Sequence, residues 1–321
     1  MEKRRIRLTI AYDGTAYCGW QIQPNGITVQ QVLNNALQNV LKAPVRTIGA
    51  SRTDAGVHAS GNVVIFDTDS RIPADKFAFA LNTWLPADVK VQASEEVAPD
   101  WHPHFVDSIK TYEYRILNRQ MPDPMQRLDS LFCYYRLDLA AMQKAAQLFV
   151  GTHDFASFAA GGGATEQAEQ SNYESAEKHG TVRTIYRADV LCEDASTINT
   201  AMRTPASAEP AVLDSADAVS AAPVSAGPVS AAPVSAGPVS AAPVSASTPS
   251  PYHGMIRFVV SGNGFLYNMV RIMAGTLLEV GKGALAPDSI PAILAARSRE
   301  AAGPTAPAHG LRLVQIEYPQ K

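Results

Sequence analysis

The residues best suited to chemistry stand in the short stretch SRTDAGVHASGN, residues 51–62. Arg52, Thr53 and Asp54 supply a cation, a hydroxyl and a carboxylate, and the neighbouring alanine and glycine leave the backbone uncrowded. The run VVIF that follows is typical of a buried strand. A carboxylate in a loop before a core strand is rigidly held and can face a cleft, so Asp54 is a candidate catalytic group. An isolated R-x-D pattern is more often explained by an Asx turn with a local ion pair.

A second chemical feature is a charge inside the apolar stretch NGFLYNMVRIMAG, residues 263–275. Arg271 interrupts a helical pattern whose apolar face carries Phe265, Met269, Ile272 and Met273. Such an arginine either extends its charged end to solvent or is buried against a carboxylate. The second alternative connects Arg271 with Asp54.

A third feature is the strand motif KTYEY, which puts Tyr112 and Tyr114 on the same face. Two aromatic residues on one strand face usually pack in a core. They are also how a sheet presents stacking platforms to unpaired nucleobases. Both interpretations stay open at this point.

The composition places these motifs in a globular chain of 321 residues with 46% hydrophobic residues. No apolar run approaches the length of about 20 residues that spans a bilayer, and the N-terminal sequence lacks the features of a signal peptide. We therefore expect a cytoplasmic protein without membrane contact. The net charge is −3, but residues 194–251 carry four acids and one base, so the remaining body is neutral and can hold a basic groove.

The potential metal ligands are scattered. The three cysteines, Cys18, Cys133 and Cys192, are too widely spaced for a zinc knuckle or a disulfide framework. No pair of the seven histidines combines helical ligand spacing with a nearby acid, and His58 is expected to be structural. The sequence therefore predicts no metal site.

The order of elements predicts an α+β fold. Strand and helix patterns recur in β-α-β-β order, which favours two ferredoxin-like (RRM-like) halves that form a continuous, mainly antiparallel sheet. We expect helices on one face and a catalytic cleft between the halves. The expected boundaries are 1–103, with the Asp54 loop, and 104–321. A flexible loop at 161–180 and a disordered insertion at 195–252, rich in Pro, Ala, Ser and Val, interrupt the second half.

Seven motifs carry a resemblance to a known family: GWQIQPNGITVQ, SRTDAGVHA, FVDSIKTYEY, GTHDFASF, TVRTI, GFLYNMVRIMAG and GPTAPAHGLRLVQI. In this order they resemble the tRNA pseudouridine synthase A family over nearly the whole chain apart from the two loops. The stretch RTDAGVHA is highly specific to that family. Ser51 departs from it, since the family often has glycine there, and a slightly different turn is expected.

The resemblance implies an isomerase, an intramolecular transferase that converts uridine to pseudouridine at positions 38, 39 and/or 40 of the tRNA anticodon stem-loop. It implies that Asp54 is the nucleophile, by attack at C1′, attack at C6 or removal of the 2′ proton. Arg271 would pair with Asp54 and keep it ionised. Tyr112 would stack on the uracil and accept the proton from C5.

The remaining site residues implied by the resemblance bind the substrate. Arg52 would fill the space left by the flipped nucleotide, Thr53 would contact the substrate, and Phe265 and Leu266 would form an apolar wall under the base. The family also implies a homodimer, with one tRNA touching both subunits, and no metal or cofactor. We expect weak contacts to the RNA backbone from Lys3, Arg4, Arg5 and Arg183. The charges of Lys3, Arg4 and Arg5 are equally consistent with a solvated N-terminal tail.

Two other functions fit parts of the sequence. A non-catalytic RNA-binding protein could use the same fold and the strand tyrosines. A carboxylate-dependent hydrolase of nucleosides or sugars would need a second carboxylate near Asp54, for which Asp154 is a weak candidate.

Overall fold

The computed structural model describes residues 3–160, 180–193 and 254–319. Its first elements follow directly from the sequence pattern, since β1 (Arg4–Tyr12) buries every second side chain from Ile6 onward. Helix α1 (Val29–Leu41) begins after Thr28, whose side chain accepts a hydrogen bond from the backbone N–H of Gln31. The next elements are β2 (Ile48–Gly49), β3 (His58–Thr68), α2 (Phe77–Asn82) and β4 (Val89–Val97).

The remaining described elements begin with the strand that carries the two tyrosines. They are β5 (Ile109–Asn118), β6 (Leu131–Cys133), α3 (Leu139–Gln147), β7 (Gly151–Asp154), β8 (Val182–Glu193), β9 (Gly254–Gly262), α4 (Met269–Gly281), α5 (Ile290–Ala296) and β10 (Leu311–Glu317).

All described strands belong to one sheet in the order β4-β1-β3-β10-β5-β9-β8-β7, with β2 paired to β3 and β6 to β5. The β3–β10 and β5–β6 pairs are parallel, and the other pairs are antiparallel. This confirms the predicted α+β fold with a continuous, mainly antiparallel sheet. Two four-strand stretches of the sheet, β4-β1-β3-β2 and β10-β5-β9-β8, have the same topology. In each, the strand that comes fourth in the chain lies beside the first, which is followed by the third and the second.

The two stretches meet where β3 and β10 lie side by side, with Arg312 opposite His58 and Leu313 opposite Ala59. Val57 closes the turn that begins at Asp54, with its N–H donating to the Asp54 carbonyl at 3.1 Å, and His58 follows as the first residue of β3. The Asp54 loop therefore lies at this junction. His58 is buried there, where its Nδ1 accepts from the Gly14 N–H at 3.1 Å and its Nε2 lies 3.1 Å from the His309 carbonyl oxygen. These contacts give His58 a structural role.

Two expectations fall outside the described part of the chain. They are the flexible loop at 161–180, apart from Gly180, and the insertion at 195–252. Among the helices that the structure describes, none has the length and apolar character needed to cross a bilayer.

Candidate active site

A cavity of about 410 Å³ lies beside the Asp54 loop. Most of its walls come from three parts of the chain: the loop before β3, the first residues of β5, and the segment that leads into α4, with His104 and Leu311 completing them. The lining residues are Ala50, Ser51, Arg52, Thr53, Asp54, Val57, His104, Lys110, Tyr112, Phe265, Leu266, Tyr267, Asn268, Met269, Val270 and Leu311. Every residue with a predicted catalytic or substrate-binding role except Arg271 is in this set.

A buried polar network holds the Asp54 loop in place. The hydroxyls of Thr53 and Tyr12 lie 2.7 Å apart, and the amide of Asn62 donates to the Ser51 carbonyl at 3.0 Å and to the Tyr12 hydroxyl at 3.3 Å. Gly56 has φ +77°, a conformation that favours glycine, so it allows the tight turn after Asp54. The loop is therefore anchored on the core while Asp54 faces the cavity.

Asp54 lines this cavity and pairs with Arg271, which is not itself a lining residue. Arg271 Nη1 lies 3.6 Å from Asp54 Oδ2, and the side chains are 18% and 23% exposed. Two further contacts orient the guanidinium, because Nε donates to the Ala306 carbonyl and Nη1 to the Asn268 side-chain oxygen, each at 2.7 Å. Asn268 precedes α4 in a left-handed conformation, with φ 58°. Arg271 is thus held against the carboxylate rather than extended into solvent.

The pKa of Asp54 is raised above that of an ordinary aspartate, because burial disfavours the charged carboxylate more than Arg271 favours it. Arg271 acts in the expected direction, since its charge favours the ionised carboxylate. The ion pair lowers the pKa of Asp54 but offsets only part of the desolvation.

Tyr112 forms part of the wall beside Asp54. Its hydroxyl lies 2.8 Å from Ser51 Oγ, and its ring meets Phe265 edge to face, with ring centroids 5.1 Å apart. Burial raises the pKa of Tyr112 to about 12, so the phenol is neutral near pH 7. Tyr114 does not line the cavity, because its hydroxyl donates to the Pro307 carbonyl at 2.9 Å. Only Tyr112 of the strand pair is therefore available to a ligand.

The four predicted contacts to the RNA backbone separate in the structure. Arg4 and Arg5 form ion pairs with Glu96 and Asp67, at 2.9 Å and 2.7 Å. They lie beside the C-terminal end of β3, whereas the Asp54 loop precedes its N-terminal end, about 33 Å away along the strand. Lys3 is exposed next to them. Arg183 alone lies near the cavity, on β8.

Several cavity residues have no assigned role in the sequence-based interpretation. Ser51 was interpreted as a change of turn, but its hydroxyl makes a hydrogen bond to Tyr112 that glycine cannot make. Lys110 stands two residues before Tyr112 on β5, so strand alternation alone places it on the same face. Asn268, the partner of Arg271, carries no sequence signal that we can identify.

Asp54 is the only carboxylate among the described residues that line the cavity. Asp154 lies elsewhere, 2.9 Å from Arg297 Nε, and therefore cannot serve as the second carboxylate of a hydrolase at this site. Across the described ranges, no group of three or more histidine, cysteine or acidic residues is arranged to hold a metal ion.

Known proteins resemble this chain along nearly its whole length. The family model for tRNA pseudouridine synthase matches residues 8–106 and 145–319. The tRNA pseudouridine synthase A of Ruminiclostridium cellulolyticum is 40% identical over 98% of this chain and 100% of its own length. The proteins of the same name from Acetivibrio thermocellus and Moorella thermoacetica are 36% and 37% identical over 98% of this chain, and over 100% and 99% of their own lengths. The chain therefore belongs to the tRNA pseudouridine synthase family, a family of isomerases.

Proposed function

We propose that this protein converts uridine to pseudouridine at positions 38, 39 and/or 40 of the tRNA anticodon stem-loop, with Asp54 as the nucleophile. One observation carries the assignment of the nucleophile. Asp54 is the only carboxylate among the described residues of the cavity, and Arg271 holds it at 3.6 Å. A cavity of about 410 Å³ has room for one extruded nucleotide.

The reaction breaks the bond between C1′ and N1 of uridine and joins C1′ to C5 of the same base. A proton leaves C5 and N1 gains one, so no cofactor has to supply atoms or electrons. Asp54 starts the reaction in its ionised form. The carboxylate attacks C1′, attacks C6 or removes the 2′ proton. Its enclosure beside Arg271 limits attack of water at C1′, so the freed base rejoins the ribose.

Tyr112 is the proposed acceptor of the C5 proton. Because the phenol is neutral, its oxygen accepts that proton only as it gives up its own. Ser51 Oγ at 2.8 Å is positioned to receive the phenol proton while it releases its own hydroxyl proton to water in the cavity. The rings of Tyr112 and Phe265 meet edge to face. Phe265 and Leu266 together form the proposed apolar support for the base.

Arg52 and Thr53 flank the nucleophile in the chain. Arg52 is exposed at the cavity, which suits a guanidinium that stacks in the gap left by the extruded nucleotide. The Thr53 hydroxyl is bound to Tyr12, so we assign Thr53 to the substrate through its position in the lining and not through a free hydroxyl. The backbone contacts of Lys3, Arg4 and Arg5 are proposed for a part of the tRNA distant from the target uridine.

We also propose that the chain consists of two ferredoxin-like halves, 1–103 and 104–321, with helices on one face. The repeated strand arrangement in β4-β1-β3-β2 and β10-β5-β9-β8 supports this. A cytoplasmic homodimer with one tRNA touching both subunits completes the proposal.

Tritium release tests the reaction. Unmodified tRNA carrying tritium at C5 of uridine is incubated with the wild-type protein and with Asp54→Asn, and RNA binding is measured in parallel. We expect release by the wild type only and tRNA binding by both. If neither protein releases tritium from a tRNA that both bind, the chain is an RNA-binding protein without this activity. Free uracil among the products would indicate a hydrolase.

A second arm identifies the position. Transcripts that keep uridine at only one of positions 38, 39 and 40 are compared under the same conditions. Release from at least one of them, and none from a transcript with cytidine at all three, is the expected result. Equal release from the transcript without these uridines would refute the assignment to the anticodon stem-loop.

A further inference from the structure

Lys110 is a cation in the cavity wall that the reaction scheme does not use. It lies on β5 two residues before Tyr112, and its Nζ donates to the Ala50 carbonyl at 2.8 Å. Among the described residues, no carboxylate oxygen lies within 4.0 Å of this Nζ. A charge that is partly removed from water without a counter-ion is costly unless an anionic ligand compensates it.

A second cation reinforces this point. In the sheet, Lys110 is opposite Gly262, and Gly262 is opposite Ile185 on β8. Arg183 is two residues from Ile185, so it projects from the same face as Lys110. A Cβ placed on Gly264 would lie 3.6 Å from Arg183 Nε, which puts this guanidinium against the segment that carries Phe265.

The electrostatics agree with a shared cationic pocket. Burial and the charge of Arg183 lower the pKa of Lys110 to about 8. Burial and the charge of Lys110 lower the pKa of His104 to about 4, so this histidine is neutral near pH 7. The two cations repel each other in the free protein, and an anion between them would relieve the repulsion.

We propose that Lys110, together with Arg183, binds a phosphodiester group of the RNA beside the target uridine. The identity of the RNA rests on the proposed function. The nucleophile is a carboxylate and the site must admit a polyanion. A phosphate-binding pair at the cavity therefore fixes the register of the extruded nucleotide. Lys110 is a substrate-binding residue in this scheme and takes no part in bond making.

The competing interpretation is that Lys110 only tethers the Asp54 loop through the Ala50 carbonyl. The salt dependence of binding separates the two. Each phosphate contact made by a cation contributes about one unit to the slope of log affinity against log salt, whereas an internal hydrogen bond contributes nothing.

The experiment measures binding of unmodified tRNA over a range of NaCl concentrations in the Asp54→Asn background, which prevents turnover. We expect Lys110→Gln to reduce the slope by about one unit and to weaken binding about tenfold. Lys110→Arg keeps the charge and should retain the slope. Lys144→Gln, an exposed lysine on α3, is the matched control and should leave both quantities unchanged.

An unchanged salt slope in Lys110→Gln overturns the proposal, even if the affinity is also unchanged. A fall in turnover alone would then reflect the loss of the hydrogen bond to the Ala50 carbonyl. If Lys110→Gln fails to fold, the pH dependence decides. Affinity should fall as the pH rises above about 8 with Lys110 and stay level with Lys110→Arg; equal profiles refute the phosphate contact. The charged and titratable groups that face Lys110 are Arg52, Asp54, His104, Tyr112 and Arg183.

The same substitutions at Lys110 and Lys144 are then made in the protein that retains Asp54, and these variants are assayed for tritium release. A slope that depends on Lys110 without any release leaves the phosphate site intact and refutes the synthase proposal. Tritium release together with a salt slope that is unchanged in Lys110→Gln supports the synthase proposal and refutes the phosphate site. The two proposals therefore fail in different measurements.

Discussion

Replacing Arg271 with glutamine tests whether this arginine acts on Asp54 itself. Burial raises the pKa of Asp54, and Arg271 opposes that increase. Without Arg271 the pKa of Asp54 rises further, so the carboxylate becomes protonated at a higher pH. Because the reaction needs the carboxylate, the acidic limb of the kcat/KM profile should move to higher pH in Arg271→Gln.

The size of the movement follows from the geometry. Arg271 Nη1 lies 3.6 Å from Asp54 Oδ2, and both side chains are mostly enclosed. At that separation two unit charges attract by about 1.2 kcal/mol in bulk water and by about 4.6 kcal/mol at an effective dielectric constant near 20. Since about 1.4 kcal/mol corresponds to one pH unit, we expect the acidic limb to move upward by about 1 to 3 pH units.

The assay is tritium release at low substrate concentration across the acidic range. Arg271→Lys keeps the charge and should move the limb less than Arg271→Gln, although the contacts to Ala306 and Asn268 are lost. Arg187→Gln is the matched control, because Arg187 pairs with Asp189 on β8 and does not line the cavity. Thermal melting of each variant excludes partial unfolding as the cause.

A uniform loss of activity at every pH, with the acidic limb unmoved, would refute this reasoning. Arg271 would then act on the substrate and not on the ionisation of Asp54. Movement of the limb to lower pH would contradict the sign of the electrostatic argument.

Three further predictions concern the loop, the tyrosine and the helix of the site. Because the pKa of Asp54 is raised in the folded state, its ionisation favours unfolding; Asp54→Asn should therefore raise the melting temperature at neutral pH, and the gain should disappear as the pH falls below the ordinary aspartate pKa of about 4. An equal gain at all pH values would contradict the linkage. Ser51→Ala removes the hydroxyl that accompanies Tyr112 and should lower kcat by about tenfold with little change in KM, and it should have no further effect in a Tyr112→Phe protein; additive losses in the double variant would disprove the coupling. Gly275→Ala should destabilise the protein by about 3 kcal/mol or more in urea denaturation, since a Cβ there would lie 1.8 Å from the Pro304 carbonyl oxygen, and an unchanged denaturation midpoint would show that the segment yields freely.

The sequence alone was sufficient to predict the α+β class with its mainly antiparallel sheet and the proximity of Asp54 and Arg271. Strand alternation and helical periodicity are local properties, and the buried face of β1 agrees with them. The prediction that a charged arginine in an apolar helix needs a carboxylate also follows from a general rule, and Arg271 lies beside Asp54.

Only the tertiary structure decided which other residues join the site. Ser51 meets Tyr112, and Lys110 faces the same cavity, because β3 and β5 are both brought to β10 by pairing between distant parts of the chain. The pairing of β1 with β3 carries Arg4 to the end of β3 remote from Asp54, although its charge alone suggested a role at the RNA. The ionisation of Asp54 was also beyond the sequence, since it depends on how far burial outweighs the attraction of Arg271. Residue types therefore determined which chemistry was available, whereas enclosure and through-space distances determined where it takes place and how each group is charged.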